Sequence, residues 1–177
     1  MSKIIVIDTE TTGLNPMSDE ILQLSVVAFD GEVLYNKYFK PEYVTEWKDA
    51  ERVNHITPEM VAFAPTISSE LAEIFRLLHT ADIIAGYNVT FDLRFLCELG
   101  YMPHEGQKVH DVMLEFAPVY GQLNAKGTYN KGKYKWQKLS TCAAFYGYKW
   151  TESEQHNSLD DCMATLYCYK KLRGYHD

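Results

Sequence analysis

Long apolar runs are missing from this sequence: nothing in its 177 residues approaches the ~20 consecutive apolar positions that a bilayer-spanning helix requires. Ile4 to Ile7 follow Lys3, but Asp8 interrupts them well short of the ~7–15 residues of a signal-peptide core, so a cytoplasmic location with no membrane partner is expected. Cysteine is scarce and unpatterned. The four thiols, Cys97, Cys142, Cys162 and Cys168, form no C-x-x-C pair, which argues against a zinc framework or disulfide scaffold and for reduced, mostly buried side chains. Repeats, low-complexity tracts and linkers are also absent, and a 20.4 kDa chain with 46% apolar residues fits one domain over 1–177.

Acidic residues have their own gap. Phe116 to Trp150 contains no Asp or Glu but six lysines, Lys126, Lys131, Lys133, Lys135, Lys138 and Lys149, in a chain of net charge −7. The overall charge argues against a purely electrostatic nucleic-acid binder, while the asymmetry asks for a local explanation. Between 120 and 138 the lysines interleave with Tyr129, Tyr134 and Trp136. Lysines that neutralise phosphates beside rings that stack unpaired bases suit contact with a single strand, with Lys133, Lys135 and Trp136 as its candidates; the plain alternative is a solvated loop.

What is present is an orderly series of strand and helix signals. Ser2 to Asp8 reads as a buried strand, because four β-branched residues run together before a carboxylate. Thr11 to Asp19 reads as a loop. Glu20 to Phe29 alternates with a period of two, Asp30-Gly31 supplies a hairpin turn, and Glu32 to Phe39 returns as a third strand. Thr57-Pro58 opens a short helix, and Thr66 to Leu78 is an amphipathic one. Asp82 to Ala85 follows as a fourth strand, then a helix capped by Asn88 runs through Leu99 until Gly100 stops it. Val109 to Val112 gives a fifth strand, and Lys138 to Tyr146 and Ser158 to Arg173 two closing helices. The series predicts an α/β domain with a mixed five-stranded sheet flanked by helices, antiparallel in its first half and parallel later.

Acids gather where these elements end. Asp8 and Glu10 stand two apart and share a strand face. Asp92 falls at the fourth position of the helix that Asn88 would cap. Asn157 offers a second cap, leaving His156 ahead of the helix and Asp161 in its first turns. Singly these are a solvated strand terminus, an acid favoured by a helix dipole and a surface histidine. Together, four carboxylates without Cys or clustered His are hard donors that favour Mg²⁺ or Mn²⁺ over zinc. Two such ions with a histidine as general base suit phosphodiester hydrolysis.

Asp8-Thr9-Glu10-Thr11-Thr12-Gly13-Leu14, Asn88-Val89-Thr90-Phe91-Asp92 and His156 through Asp161 resemble, in order and separation, the three motifs of the DEDDh 3′-to-5′ exonucleases, the DnaQ-like family of the DNA polymerase III epsilon subunit. The resemblance spans nearly the whole chain. It implies a ribonuclease H-like fold and two Mg²⁺ or Mn²⁺ ions held by Asp8, Glu10, Asp92 and Asp161. It also implies His156 as general base, with nucleoside 5′-monophosphates released from a free 3′ end. Leu14 is similar in position to a residue that wedges against the terminal bases; Thr11, Thr12 and Gly13 flank the terminal nucleotide; Asn88 and Phe91 face the substrate. Val53-Asn54-His55-Ile56-Thr57 is similar to the family's His-Gly-Ile-Thr segment, making His55 either a substrate contact or a loop histidine packed on the core. Tyr87 stands where many relatives have His, and Ser158 where Ala is common. The chain stops at Asp177 without a segment resembling the epsilon subunit's polymerase-binding tail, which leaves a polymerase partnership open. The Asp-Thr-Glu-Thr-Thr-Gly form points first to DNA. An RNA 3′-exonuclease of the oligoribonuclease or tRNA-trimming type would use the same site, and a non-catalytic nucleic-acid-binding module is the third reading.

Overall fold

The computed structural model describes residues 2–124, 133–150 and 157–175. Its strands are β1 (Ile4–Thr11), β2 (Ile21–Ala28), β3 (Val33–Tyr38), β4 (Ile83–Gly86) and β5 (Lys108–Asp111). Its helices are α1 (Lys48–Asn54), α2 (Pro58–Val61), α3 (Ile67–His79), α4 (Thr90–Glu98), α5 (Val112–Tyr120), α6 (Leu139–Tyr146) and α7 (Ser158–Leu172). The sheet has the order β3-β2-β1-β4-β5. β1, β2 and β3 pair antiparallel, and β4 and β5 join in parallel, as the hairpin and crossover signals predict. At the first hairpin Gly31 adopts φ 95° and its N–H donates to the Ala28 carbonyl, the conformation that Asp30-Gly31 anticipates.

Two apolar layers sandwich the sheet. Ile5 and Ile7 of β1 join Ile74 and Leu78 of α3 and Phe95 and Leu96 of α4. Ile4 and Val6 join Val112 and Phe116 of α5, Cys142 of α6, and Cys162, Leu166 and Tyr169 of α7. A smaller cluster of Leu22, Trp47, Ile56 and Val61 seats α1 and α2 beside β2. All four cysteines are free, three of them buried and Cys97 exposed. No helix among the described residues is long and apolar enough to cross a membrane.

Several sequence expectations need correction. β1 does not stop at Asp8; the ladder to β2 continues through Asp8↔Ser25, Thr9↔Leu24 and Glu10↔Gln23, so both acids lie within the strand. The period-two pattern of β2 suggests one wet face, yet Ile21 to Val27 are all buried because helices cover both sides. Asn88 is not a side-chain cap: it sits at φ 62°, α4 begins at Thr90, and Asp92 is the third rather than the fourth residue of that helix. α1 and α5 lack a sequence counterpart.

Candidate active site

The strand period sets the site. Asp8 and Glu10 continue the face of Ile4 and Val6, the face that α7 covers, and α7 brings Asp161 to it from its first turn. Carboxylate oxygens of Asp8, Glu10 and Asp161 lie within 4.8 Å of one another. The start of α7 is fastened by polar groups of β2 and β3. Asn157 caps the helix by accepting from the Leu159 N–H at 3.1 Å, and its amide donates to the Tyr38 hydroxyl at 3.2 Å. The buried Ser25 and Ser158 hydroxyls share a hydrogen bond of 2.7 Å, and the Ser158 N–H donates to Gln23 Oε1 at 3.3 Å. Ser25 and Gln23 are the cross-strand partners of Asp8 and Glu10, so the residues opposite the two acids position the helix carrying the third. In the sequence, their only signal is polarity within an otherwise apolar strand.

Asp92 arrives from the opposite layer. β4 pairs with β1 only as far as Val6, which leaves the following edge of β1 open. There the Thr9 N–H and hydroxyl both donate to Asp92 Oδ1, at 2.8 and 2.7 Å. A carboxylate thus meets an N–H that a longer β4 would have paired. Gly86 makes the approach possible: a Cβ there would lie 2.8 Å from the Val89 side chain and 3.0 Å from the Ile7 carbonyl. The Asn88 N–H is taken by Asp111 Oδ1 at 3.1 Å, the same oxygen that caps α5.

Crowding and loss of water shift the acids' protonation. Asp8 is held well above the ordinary carboxylate range by desolvation and then by the charges of Asp92, Asp161 and Glu10. Glu10 is pushed up to about 8 by desolvation and then by Asp161 and Asp92, with a hydrogen bond from Asn54 pulling it back. Asp92 is pushed up to about 7 by burial, against the two Thr9 hydrogen bonds. Among the described residues, no Lys or Arg forms a salt bridge with Asp8, Glu10 or Asp92. Converging hard oxygens with a surplus of like charge fit a divalent cation better than they fit one another.

Beside Glu10 opens a cleft of about 490 Å³ lined by Thr11, Thr12, Gly13 and Leu14 and, across it, by Asn54 and Phe91. Its rim is fixed locally. Thr12 exchanges hydrogen bonds with Glu20, and a Cβ on Gly13 would lie 2.5 Å from the Asp19 carboxylate. Leu14 projects into solvent, 82% exposed. Phe91 rests against Phe95 with ring centroids 5.1 Å apart. The segment at 53–57 differs from expectation in one respect: Asn54, not His55, lines the cleft. The buried Asn54 amide donates to the Thr11 carbonyl at 3.2 Å and its oxygen accepts from the Ile56 N–H, whereas His55 ends α1 at φ 58° with its side chain exposed.

The legs of the basic segment pair with each other: Leu123 bridges Tyr134, and the Lys135 N–H donates to the Gln122 carbonyl at 2.8 Å. Lys133 reaches over the Tyr134 ring, and Trp136 is 41% exposed. Lys133, Lys135 and Trp136 do not line the cleft beside Glu10. His156, Lys126, Tyr129 and Lys131 lie outside the described residues.

Comparison with known proteins places this geometry. A family model described as exonuclease (RNase_T) matches residues 5–169. RNA exonuclease 4 of Gibberella zeae is 27% identical over the full chain, which spans 51% of that protein. The uncharacterized exonuclease CP81 of Escherichia phage 186 is 30% identical over 92% of the chain and 84% of its own length. The PolC-type DNA polymerase III of Latilactobacillus sakei is 29% identical over 97% of the chain, which spans 11% of the polymerase. Among solved structures, product-bound exonuclease I aligns with a TM-score of 0.77 at 20% identity, over 98% of this chain and 44% of that one. E. coli exonuclease I in complex with a dT13 oligonucleotide aligns at 0.75 and 19% identity, over 98% of this chain and 41% of that one. These structural likenesses show the ribonuclease H-like fold.

Proposed function

This chain belongs to the exonuclease family, in its DnaQ-like 3′-to-5′ branch, and from that premise we propose that it removes nucleoside 5′-monophosphates from the 3′ end of single-stranded DNA in a divalent-metal-dependent reaction. The observation that carries the reading is the convergence of the Asp8, Glu10 and Asp161 carboxylates at the mouth of a nucleotide-sized cleft. Asp8, Glu10, Asp92 and Asp161 would hold two Mg²⁺ or Mn²⁺ ions, which supply the positive charge that clamps the attacking and leaving oxygens of an in-line displacement. Thr11, Thr12, Gly13 and Phe91 enclose the terminal nucleoside, with Leu14 against its base. Asn88, Lys133, Lys135, Trp136 and His55 would meet the strand beyond that nucleoside. His156 takes a proton from the attacking water while the bond from phosphorus to the 3′-oxygen breaks. The likeness to part of a PolC-type polymerase supports DNA; the match of the whole chain to about half of an RNA exonuclease 4 favours the second reading, an RNA substrate.

The test uses 5′-labelled DNA and RNA strands of one sequence with Mg²⁺, with Mn²⁺ and with EDTA, alongside Asp8→Ala. The expected result is a ladder shortening from the 3′ end, abolished by EDTA and by the substitution, with DNA the faster polymer. Faster loss of RNA would move the substrate class to the second reading. No ladder under any metal, with binding intact, would leave a non-catalytic binding module.

A further inference from the structure

A groove of about 440 Å³ opens where the segment between β1 and β2 meets the start of α3 and the end of α4. It shares no lining residue with the cleft beside Glu10. Its floor is apolar, formed by the buried Ile21, Ile67 and Phe95 together with Leu99. Two large side chains flank it uncovered, Met17 at 75% and Tyr43 at 85% exposure.

The rim is acidic. Asp19, Glu20, Glu42 and Glu98 line the groove, and no Lys or Arg does. Among the described residues none of these four forms a salt bridge. Three are set in place by neutral donors. Glu20 accepts from the N–H groups of Glu42, Tyr43 and Val44 at 2.7, 2.9 and 2.7 Å, Asp19 from the Asn15 N–H at 2.9 Å, and Glu42 from the Ser68 hydroxyl. A carboxylate has about four acceptor sites, so each keeps capacity for a ligand. Glu98 is the last residue of α4, whose final turn carries no basic residue. Its charge therefore adds to the negative end of the helix dipole, where a cation is favoured.

The arrangement selects its occupant. No three of these acids converge within 4.8 Å as Asp8, Glu10 and Asp161 do, so they form no cage for a metal ion. Their charge repels the phosphates of a nucleic-acid strand. An arginine answers both parts of the groove: its aliphatic stem lies along an apolar floor, and its planar fork reaches separate carboxylates and stacks on an aromatic ring such as Tyr43. We propose that this groove is the docking site for a segment of a partner protein in which arginines are flanked by aliphatic residues.

The test titrates the peptide acetyl-Leu-Arg-Arg-Leu-amide into the isotope-labelled full chain and follows the backbone amides by NMR. The amides of Met17, Glu20, Tyr43 and Leu99 should shift saturably. Replacing both leucines of the peptide by glycine should weaken binding about fivefold, as should the combined Glu42→Gln and Glu98→Gln chain. Both glutamates are exposed, and an amide spectrum unchanged outside the groove checks that the variant folds; the peptide replacements test the wild-type chain independently. No saturable shift, equal shifts with acetyl-Leu-Glu-Glu-Leu-amide, or wild-type affinity in the doubly substituted chain overturns the proposal. An oligothymidylate that moves the same amides also overturns it, by making the groove a path for a strand. Shifts at those amides on concentrating the chain alone would give the groove to a second copy and overturn it as well.

Discussion

The two faces of β1 make different things from one alternating pattern. Ile5 and Ile7 pack toward α3 and α4, and the next residue on that side, Thr9, spends its N–H and hydroxyl on Asp92. Ile4 and Val6 pack toward α5, α6 and α7, and the next residues on that side, Asp8 and Glu10, meet another carboxylate, Asp161. One face ends in satisfied hydrogen bonds, the other in repulsion. A strand can therefore be core for its first half and reactive for its second without a break in backbone structure. The reactive face stores a cost that retained protons or a bound cation relieve.

The largest expected effect tests the reactive face. Raised pKa values mean that the folded chain retains protons which the unfolded chain releases near pH 4. Without metal, stability should accordingly fall as pH rises from about 4 to about 8, the folded values of Asp92 and Glu10 setting the upper end. Asp8→Asn should lower cleavage at least about a thousandfold, yet raise the melting temperature in EDTA at pH 8 by about 3–6 °C, and by less at pH 5. Mg²⁺ should stabilise the wild-type chain more at pH 8 than at pH 5. Melting curves across pH, with EDTA and with Mg²⁺, check all three; an Asp8→Asn chain less stable than wild type at pH 8 would show that the acids are not in conflict.

The satisfied face is tested by smaller changes. Gly86→Ala would force a Cβ against Val89 and the Ile7 carbonyl, and should cost about 1–3 kcal/mol in urea unfolding, with cleavage falling as Asp92 is displaced. An unchanged unfolding midpoint would mean that β4 and α4 yield freely. Thr9→Val keeps the volume and the N–H bond but removes the hydroxyl, at about 1 kcal/mol. Because that hydroxyl holds the Asp92 pKa down, its loss should move the acidic limb of the pH–rate profile upward, and a profile that stays in place would separate Asp92 from the limb.

The mixed pairing of the sheet and the gathering of Asp8, Glu10, Asp92 and Asp161 were legible because each rests on local chemistry. β-branched runs made strands, Gly31 a hairpin, Gly100 a helix stop and Asn157 a cap. α1 and α5 left no such mark. α1 is seven residues, KDAERVN, with a single buried side chain and no stripe to detect. α5 is apolar on nearly every side and contains Pro118, so it lacks periodicity and carries a residue that reads as a break. β1 seemed to end at Asp8 because acids are poor strand formers, and only the facing strand supplies the ladder that carries it on. Asn54 escaped notice for a similar reason. Its importance comes from the Thr11 carbonyl and Glu10, more than forty positions away in the chain.

The fastening of Asn157 and Ser158 to the sheet has a practical corollary. Tyr38, Gln23 and Ser25 dictate where α7 begins and hence where Asp161 stands. A substitution at Tyr38, Gln23 or Ser25 therefore reaches the acidic cluster from the neighbouring strands of the sheet, by moving the first turn of α7 and Asp161 with it.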